Sequence, residues 1–515
     1  MYSSIYSGTV YGIAGHILAV EVNVAAGLPG FVMVGKLSNE VKEASERVRV
    51  ALKNEGYGLP AMHITINISP ADIKKEGAGF DLPIALGILA AMEEIKSEAL
   101  KQTIIIGELT LDGHINPIPG VLPILLEAKR QGFSRAIVPY ENENEAMVVT
   151  DMQIFPVKQL KEAITLLKSG FVADTSTSYS DFSILQPQAH EDSIFEDYSD
   201  IYGQEHGKRA MTIAAAGFHH TLMIGPPGSG KTMMAKRLPS ILPPLSFEES
   251  IEVSSIHSIA GRLPKEQPLF RQRPFLSPHH TITETALVGG GRIPKPGVIS
   301  LAHRSVLFLD ELPEFRRSNL DLLRQPLEER KIHISRAYGN FTFPADFLFI
   351  AAMNPCPCGY FPDRNKCKCQ ESDIRHYLNR ISGPILDRID ICIEMPRVDI
   401  ANISSKPAKP SLSSKDLANS VKKARFMQEE RFKNSPFNFN SQITPGLIDK
   451  YCVLDSSTKK YLADICTQMD FSARAYHRIL RLSRTIADLE ESENITKEHL
   501  AEAVFYRITA EKQFK

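Results

Sequence analysis

The chain contains no tryptophan, and no uninterrupted apolar run approaches the roughly 20 residues that a membrane-crossing helix needs. A helical membrane protein is therefore excluded as the expected class. Excess charge of either sign is also missing: 59 Lys and Arg stand against 60 Asp and Glu, a net charge of −1. Any nucleic-acid contact must then come from a local basic surface rather than from bulk charge. The first residues, MYSSIYSGTVYGIAGH, lack the basic region and apolar stretch of a secretory signal, so a cytoplasmic location is expected. Cysteines are few, and their spacing is not that of a disulfide framework. Four of the seven, Cys356, Cys358, Cys367 and Cys369, crowd into one short stretch. In a reducing compartment such a cluster points to metal before disulfide. What is present, 43% hydrophobic and 23% charged residues, is the composition of a water-soluble globular protein. A chain of 515 residues exceeds one ordinary core and calls for two to four domains.

Residues 1–171 read as a mixed α/β unit. MHITINISP at 62–70 and TIIIGEL at 103–109 have the β-branched runs of strands. Segments 38–55 and 120–132 carry helical spacing, the first with Ser38 as its cap. Strands alternating with helices favour crossover connections. The polar, aperiodic stretch 172–195 reads as a linker. Residues 196–402 again alternate strands and helices, and a second linker at 403–415 leads to a helical segment, 416–515. Its clearest helices are Ser472–Glu490 and Thr496–Ile508, the latter capped by Thr496. No internal repeat is present.

Most of the chemistry lies in 196–402. TLMIGPPGSGKTMMAKRL at 221–238 is an apolar strand, a glycine-rich loop and a helix, and Gly225-Pro226-Pro227-Gly228-Ser229-Gly230-Lys231-Thr232 has the spacing of a phosphate-binding loop. Glycines at 225, 228 and 230 let backbone N–H groups approach phosphate oxygens, and the following helix adds its positive end. Lys231 suits β/γ-phosphate charge and Thr232 suits Mg²⁺. A second strand, Val306–Leu309, runs into Asp310 and Glu311. Asp310 fits a ligand of the Mg²⁺ shell, and Glu311 fits the base that polarises the attacking water. A third strand, FLFIAAMNP at 347–355, ends in Asn354, suited to holding the lytic water or the γ-phosphate. Arg388 lies beside a short strand and Arg474 opens a helix. Arginine suits transition-state charge, although an ion-pair role is open for each.

This order of elements, with Gln204 in an upstream box, resembles the AAA+ superfamily. RPFLSPHHTIT at 273–283, ALVGGG at 286–291, PGVISLAHRSVLFLDELPEF at 296–315, AAMNPCPCGY at 351–360 and SGPILDRIDI at 382–391 are similar to the ComM/YifB family of magnesium-chelatase-like ATPases. The resemblance implies a P-loop core with a parallel sheet and a helical lid, ATP and Mg²⁺ as cofactors, and Asn354 as a sensor. It makes Arg388 the finger supplied to a neighbouring subunit, with Arg380 as second candidate, and Arg474 the lid's sensor arginine acting within its own subunit. A finger acting in trans implies a homo-oligomeric ring, a hexamer. The family's best-described activity is ATP-driven branch migration of DNA in homologous recombination and natural transformation, which brings recombination proteins into view as partners. A chelatase-type ATPase remodelling a protein or metallation complex, or a ring scaffold, are the alternatives.

Residues 74–139 resemble the α+β proteolytic domain of Lon-type proteases and its relative in RadA-type proteins. The matching stretches are KKEGAGFDLPIALG at 74–87 and GELTLDGHINPIPGVLPILLEAKRQGFSRAIVP at 107–139. The Ser–Lys dyad of those proteases aligns with Gly79 and Leu122, neither of which can be nucleophile or base. The domain is then an inactive binding or assembly platform, with Asp81 and Lys74 as structural or surface charges.

Four thiolates on one loop suit tetrahedral Zn²⁺, free or redox-active thiols being the alternative. DNA contacts are expected on two insertions. Between Arg262 and Lys295, six basic residues outnumber two Glu, and Arg271, Arg273, His279 and His280 are the candidates. KIHISRAYGNFTFPA at 331–345 reads as a hairpin turning at Tyr338-Gly339-Asn340, offering Lys331 and Arg336. Both insertions could instead be contact loops between subunits.

Overall fold

Leu18, Val20, Val22 and Val24 stand on alternate positions, as do the inward Ser3, Ile5 and Ser7 before them, and this period of two folds the first 25 residues as a long hairpin. Strands β1 (Tyr2–Tyr11) and β2 (Ala14–Ala25) pair antiparallel from Tyr2↔Asn23 to Tyr11↔Ala14, and Gly12, at φ 67°, supplies the left-handed turn. β3 (Gly30–Val34), β4 (His63–Ser69), β5 (Thr103–Ile105), a short ladder of β6 (Glu108–Leu109) with β7 (Ile115–Asn116), then β8 (Arg135–Pro139) and β9 (Gln153–Val157) follow. The main sheet runs β3-β4-β2-β1-β5-β8-β9, antiparallel around the hairpin and parallel toward both edges. TIIIGEL is therefore two strands in two sheets, because Ile106 and Gly107 turn the chain away after β5.

Helices cover this sheet. α1 (Asn39–Asn54) is capped by the Ser38 hydroxyl, which accepts from Val41 N, and α3 (Val121–Arg130) falls within the expected segment. α2 (Asp81–Ala91) is buried on every face, so the charge at its first residue needs a partner. Arg47 supplies it at 2.7 Å, and Leu109 N adds a hydrogen bond. Burial pushes the Asp81 carboxyl up in pKa while the Arg47 guanidinium opposes that shift. Asp81 is thus a structural ion pair.

The structure, a computed structural model, describes residues 1–59, 61–171, 196–292, 294–336, 339–397 and 412–514. The expected linker at 172–195, most of that at 403–415, and Tyr338 lie outside them.

In the central unit α4 (Glu205–Gly217) precedes β10 (Thr221–Ile224), α5 (Lys231–Arg237) and α6 (Phe247–Ile259). Strands β11 (Phe275–Leu276), β12 (Gly289–Gly290), β13 (Lys295–Pro296) and β14 (Val306–Leu309) come next, then the hairpin β15 (Lys331–Arg336) and β16 (Gly339–Pro344). β17 (Leu348–Met353), α7 (Glu371–Leu378) and β18 (Ile391–Glu394) complete it. β11-β14-β17-β10-β18 form one parallel sheet. β10, β14 and β17 are buried along their whole length, which is why they read as unbroken apolar runs. The C-terminal helices α8 (Ser414–Phe432), α9 (Ala473–Leu489) and α10 (Lys497–Phe514) share one apolar core with α4 and this sheet. No described helix is long and apolar enough to cross a membrane.

Two of the three residues expected at the hairpin's turn are strand residues instead: Gly339 and Asn340 pair with Arg336 and Ser335. Gly339 is needed for a different reason: a Cβ there would meet the Tyr11 hydroxyl at 2.3 Å. Tyr11 also lies against Phe341, with centroids 4.5 Å apart, so the β1–β2 turn and the hairpin touch. A second dock joins the units at the end of α6. The Ser258 hydroxyl donates to Glu145 (2.6 Å), and Gly120 N donates to Ser258 O (3.2 Å). Glu145 is buried, and that burial raises its pKa.

Candidate active site

The β10 strand delivers Gly225 to the C-terminal edge of the parallel sheet. A Cβ at 225 would meet Met395 O at 2.3 Å, and Gly228 and Gly230 take φ of 75° and 88°. Only glycine satisfies these conditions cheaply, so the loop spacing is a steric demand as well as a chemical one. Lys231, which opens α5, is buried and donates to Gly225 O (2.7 Å), Pro226 O (3.0 Å) and Asn354 Oδ1 (3.2 Å). Burial lowers its pKa, opposed by the charges of Asp310 and Glu311. Thr232 Oγ1 donates to Asp310 Oδ2 at 2.7 Å, bringing together the two groups expected to hold Mg²⁺. Asp310 Oδ1 accepts from Glu311 N (3.0 Å). The Glu311 carboxylate is exposed, on a backbone held at φ 52°. Such a conformation costs about 1 kcal/mol or more outside glycine and concentrates at functional sites. Gln204 is buried and donates to Ser229 O (3.2 Å) and Pro396 O (2.7 Å), so it fixes the loop rather than presenting a free amide.

Beside Gly225 and Pro226 opens a cavity of about 650 Å³, walled by His206, Phe361, Met395, Phe505, Ile508 and Thr509. Phe505 is 57% exposed, an apolar face available for stacking on a base. None of these walls was singled out in the sequence. Phe505 and Ile508 come from α10, and only the α10–β18 contact brings them to the loop.

The arginines fall elsewhere. A cleft of about 320 Å³ carries five arginines, Arg330, Arg388, Arg474, Arg478 and Arg481, against Glu328, Asp346 and Asp390. Its other walls include His220, just before β10, and Phe347, just before β17, while Asp390 immediately precedes β18. The cleft therefore opens at the N-terminal edge of the sheet, and the phosphate loop at its C-terminal edge. Four residues of strand separate those edges by about 13 Å before either site begins. Arg474, expected at its own subunit's loop, lines the same cleft as Arg388 on the opposite edge of the sheet. Arg388 is held by Glu328 and Pro384 O, whereas Arg474 is exposed and has no hydrogen-bond or ion-pair partner among the described residues. Arg380 pairs with Glu314 (3.2 Å), near its own Asp310–Glu311 edge.

His220 gives the cleft a pH signature. Its Nδ1 accepts the N–H of Phe349 (3.2 Å), which requires the neutral ring, and burial pushes its pKa down to about 4. Unfolded, it titrates near ~6.5. The folded value is the lower one, so this contribution is intact above pH ~6.5 and is lost as pH falls toward the folded value. Allowing for solvent reaching the ring through the cleft, it is worth about 2 kcal/mol. Urea midpoints measured from pH 7 to 4 should fall more steeply for the wild type than for His220→Asn, whose amide oxygen can still accept from Phe349. Parallel curves would refute this.

The basic stripe largely dissolves. Arg273 is buried, paired with Glu249 at 2.7 Å and donating to Pro243 O and Arg304 O, so it is a structural strut and not a DNA contact. Lys265 pairs with Glu141 of the N-terminal unit. Arg271 is half-buried and its carbonyl accepts from Leu245 N. His279 and His280 remain on an accessible loop with rings 4.0 Å apart, and Lys331 and Arg336 are exposed on the hairpin. The four cysteine sulfurs lie within 4.8 Å of one another, on the loop between β17 and α7.

Comparison with known proteins agrees with this geometry. The family described as magnesium chelatase, subunit ChlI, matches residues 197–403. Subunit ChlI of Mg-chelatase matches 20–142, and its C-terminal family matches 411–507. YifB of Escherichia coli is 41% identical over 98% of this chain and 97% of its own length. Competence protein ComM of Haemophilus influenzae is 41% identical over the same shares. A Lon protease of Salinispora arenicola is 30% identical over 32% of this chain and 21% of that protein. With near-complete coverage on both sides, the chain belongs to the ComM/YifB family of magnesium-chelatase-like AAA+ ATPases, and its N-terminal region is Lon-protease-like.

Proposed function

We propose that the chain is a Mg²⁺-dependent ATPase working as a homo-hexameric ring, and that the ring drives branch migration of DNA during recombination. The observation that carries the ring is the placement of Arg388 and Arg474 on the sheet edge opposite the phosphate loop. Head-to-tail packing would set this cationic cleft against the next subunit's ATP, and a closed ring is how such an interface repeats without end. Lys231 and Thr232 would hold the phosphates and Mg²⁺ with Asp310. Glu311 would take the proton of the attacking water, with Asn354 positioning it. The two arginines of the neighbour would meet the charge that develops on the γ-phosphoryl group.

Support for DNA comes from the competence protein that matches over the full length. The exposed Lys331, Arg336 and His279, with the half-buried His280, would be the groups to touch a phosphate backbone. ATP turnover should rise several-fold with a four-way junction present, alongside displacement of a labelled strand. Turnover blind to DNA, with no strand movement, would eliminate the DNA motor. The chelatase-like protein-remodelling reading, favoured by the three family matches, would then take its place.

A further inference from the structure

We propose that Cys356, Cys358, Cys367 and Cys369 hold one Zn²⁺, and that the loop this ion closes is a wall of the ATP site, so that the metal sets nucleotide affinity. The sulfurs are spaced for it. Cys356 Sγ lies 3.4 Å from Cys358 Sγ and 3.7 Å from Cys367 Sγ, and the last two are 3.6 Å apart. Tetrahedral zinc with Zn–S bonds of about 2.3 Å spaces its sulfurs by about 3.8 Å. A disulfide would draw two of them to about 2 Å and leave the others over. All seven cysteines of the chain are free thiols. Phe361 N–H points at Cys356 Sγ (3.4 Å), the kind of outer hydrogen bond that steadies a thiolate ligand. Arg364 and Lys368 stand nearby in sequence to offset the net negative charge of a zinc tetrathiolate. Soft sulfur ligands exclude Mg²⁺ and Ca²⁺.

The loop also needs a staple. Residues 354–370 contain no helix or strand, and among the described residues the small apolar cluster around the cysteines consists of Phe361, Ile374 and Leu378. That is too little apolar surface to fix a segment of this length.

The same loop leans on the nucleotide. Gly359, at φ 83°, donates its N–H to Cys356 O, and a Cβ on it would lie 2.5 Å from the Pro227 ring of the phosphate loop. Phe361 and Pro362 line the cavity beside Gly225 and Pro226. Asn354, at the head of the loop, accepts from Lys231. A metal-closed loop therefore presses on the phosphate loop from one side and lines the base cavity on the other.

The coupling, though not the metal site, rests on the ATP reading, so nucleotide binding by untreated wild-type protein is measured first with a fluorescent ATP analogue. Atomic emission should find about one zinc per chain. Cys358→Ser/Cys369→Ser should lose the zinc and weaken nucleotide binding about tenfold or more. Gly359→Ala should keep its zinc and still weaken binding about tenfold, which keeps the test valid if the cysteine variant fails to fold. Iron in place of zinc, or neither metal, would overturn the site. Unchanged affinity in Gly359→Ala, or in folded zinc-free protein, would overturn the coupling. Zinc-loaded wild type that binds no nucleotide would sink the ATP reading and the coupling with it, leaving the zinc count to decide the metal site.

Discussion

Glu311→Gln should bind ATP, keep its assembly state and lose turnover by about 10²–10⁴-fold. The structure makes this a clean test. Asp310 is already committed to Thr232 and to Glu311 N, so Glu311 is the carboxylate left facing outward at this edge of the sheet. Glutamine keeps the size and bears the same φ of 52°, so the backbone cost is unchanged and folding should be too. What it loses is the ability to take a proton. Quench-flow with labelled ATP measures the loss, and equilibrium binding checks that nucleotide is still held. Wild-type-like hydrolysis by this variant would remove Glu311 from the base role.

The second large effect concerns which subunit supplies the arginines. Arg388→Ala and Arg474→Ala should each cut turnover by about 10³-fold, since each removes fixed charge from the transferring phosphoryl group. Mixing the two inactive proteins decides the geometry. If both residues face the neighbour, as their shared cleft indicates, no junction in a mixed ring has a complete arginine face, and activity stays lost. If Arg474 served its own loop, a junction between the two variants would contain one whole site, and about a quarter of junctions would recover under random assembly. Arg474→Ala mixed with Glu311→Gln is the positive control, because an intact loop can meet an intact arginine face there. Recovery in the first mixture would overturn the opposite-edge assignment.

What the sequence disclosed and what it withheld follow from where interactions close along the chain. The phosphate loop is legible because its demands are local: Gly225 must clear Met395 O, and Gly228 and Gly230 must turn left-handed. Ser38 is legible for the same reason, its bond to Val41 N closing within one helical turn. Arg273 misled because counting charges along a stripe does not see Glu249, 24 residues upstream and brought to it by α6. The cavity beside the phosphate loop was invisible because part of its wall arrives on the last helix. For Arg474 the residue was readable and its address was not. Motif order names the parts of a parallel sheet without saying which edge each part occupies. The β1–β2 hairpin escaped because Gly12-Ile13 is a weak turn signal beside Asn-Gly or Asp-Gly.

The dock between the N-terminal unit and the ATPase core is built on the Lon-like region. By resemblance, Gly79 and Leu122 take the positions of the serine and lysine of those proteases. Any side chain at 79 would now press on Ile118, 3.1 Å from the position of its Cβ. Leu122 is sealed in an apolar cluster with Ile104, Ile106 and Leu125, where an ammonium would have no solvation. Its backbone N–H is bound by Glu145, which also takes the Ser258 hydroxyl of the ATPase core. The ground that the protease resemblance gives to the lysine is here part of a mounting bracket between the two units, and a charge introduced at Leu122 would strike that bracket first.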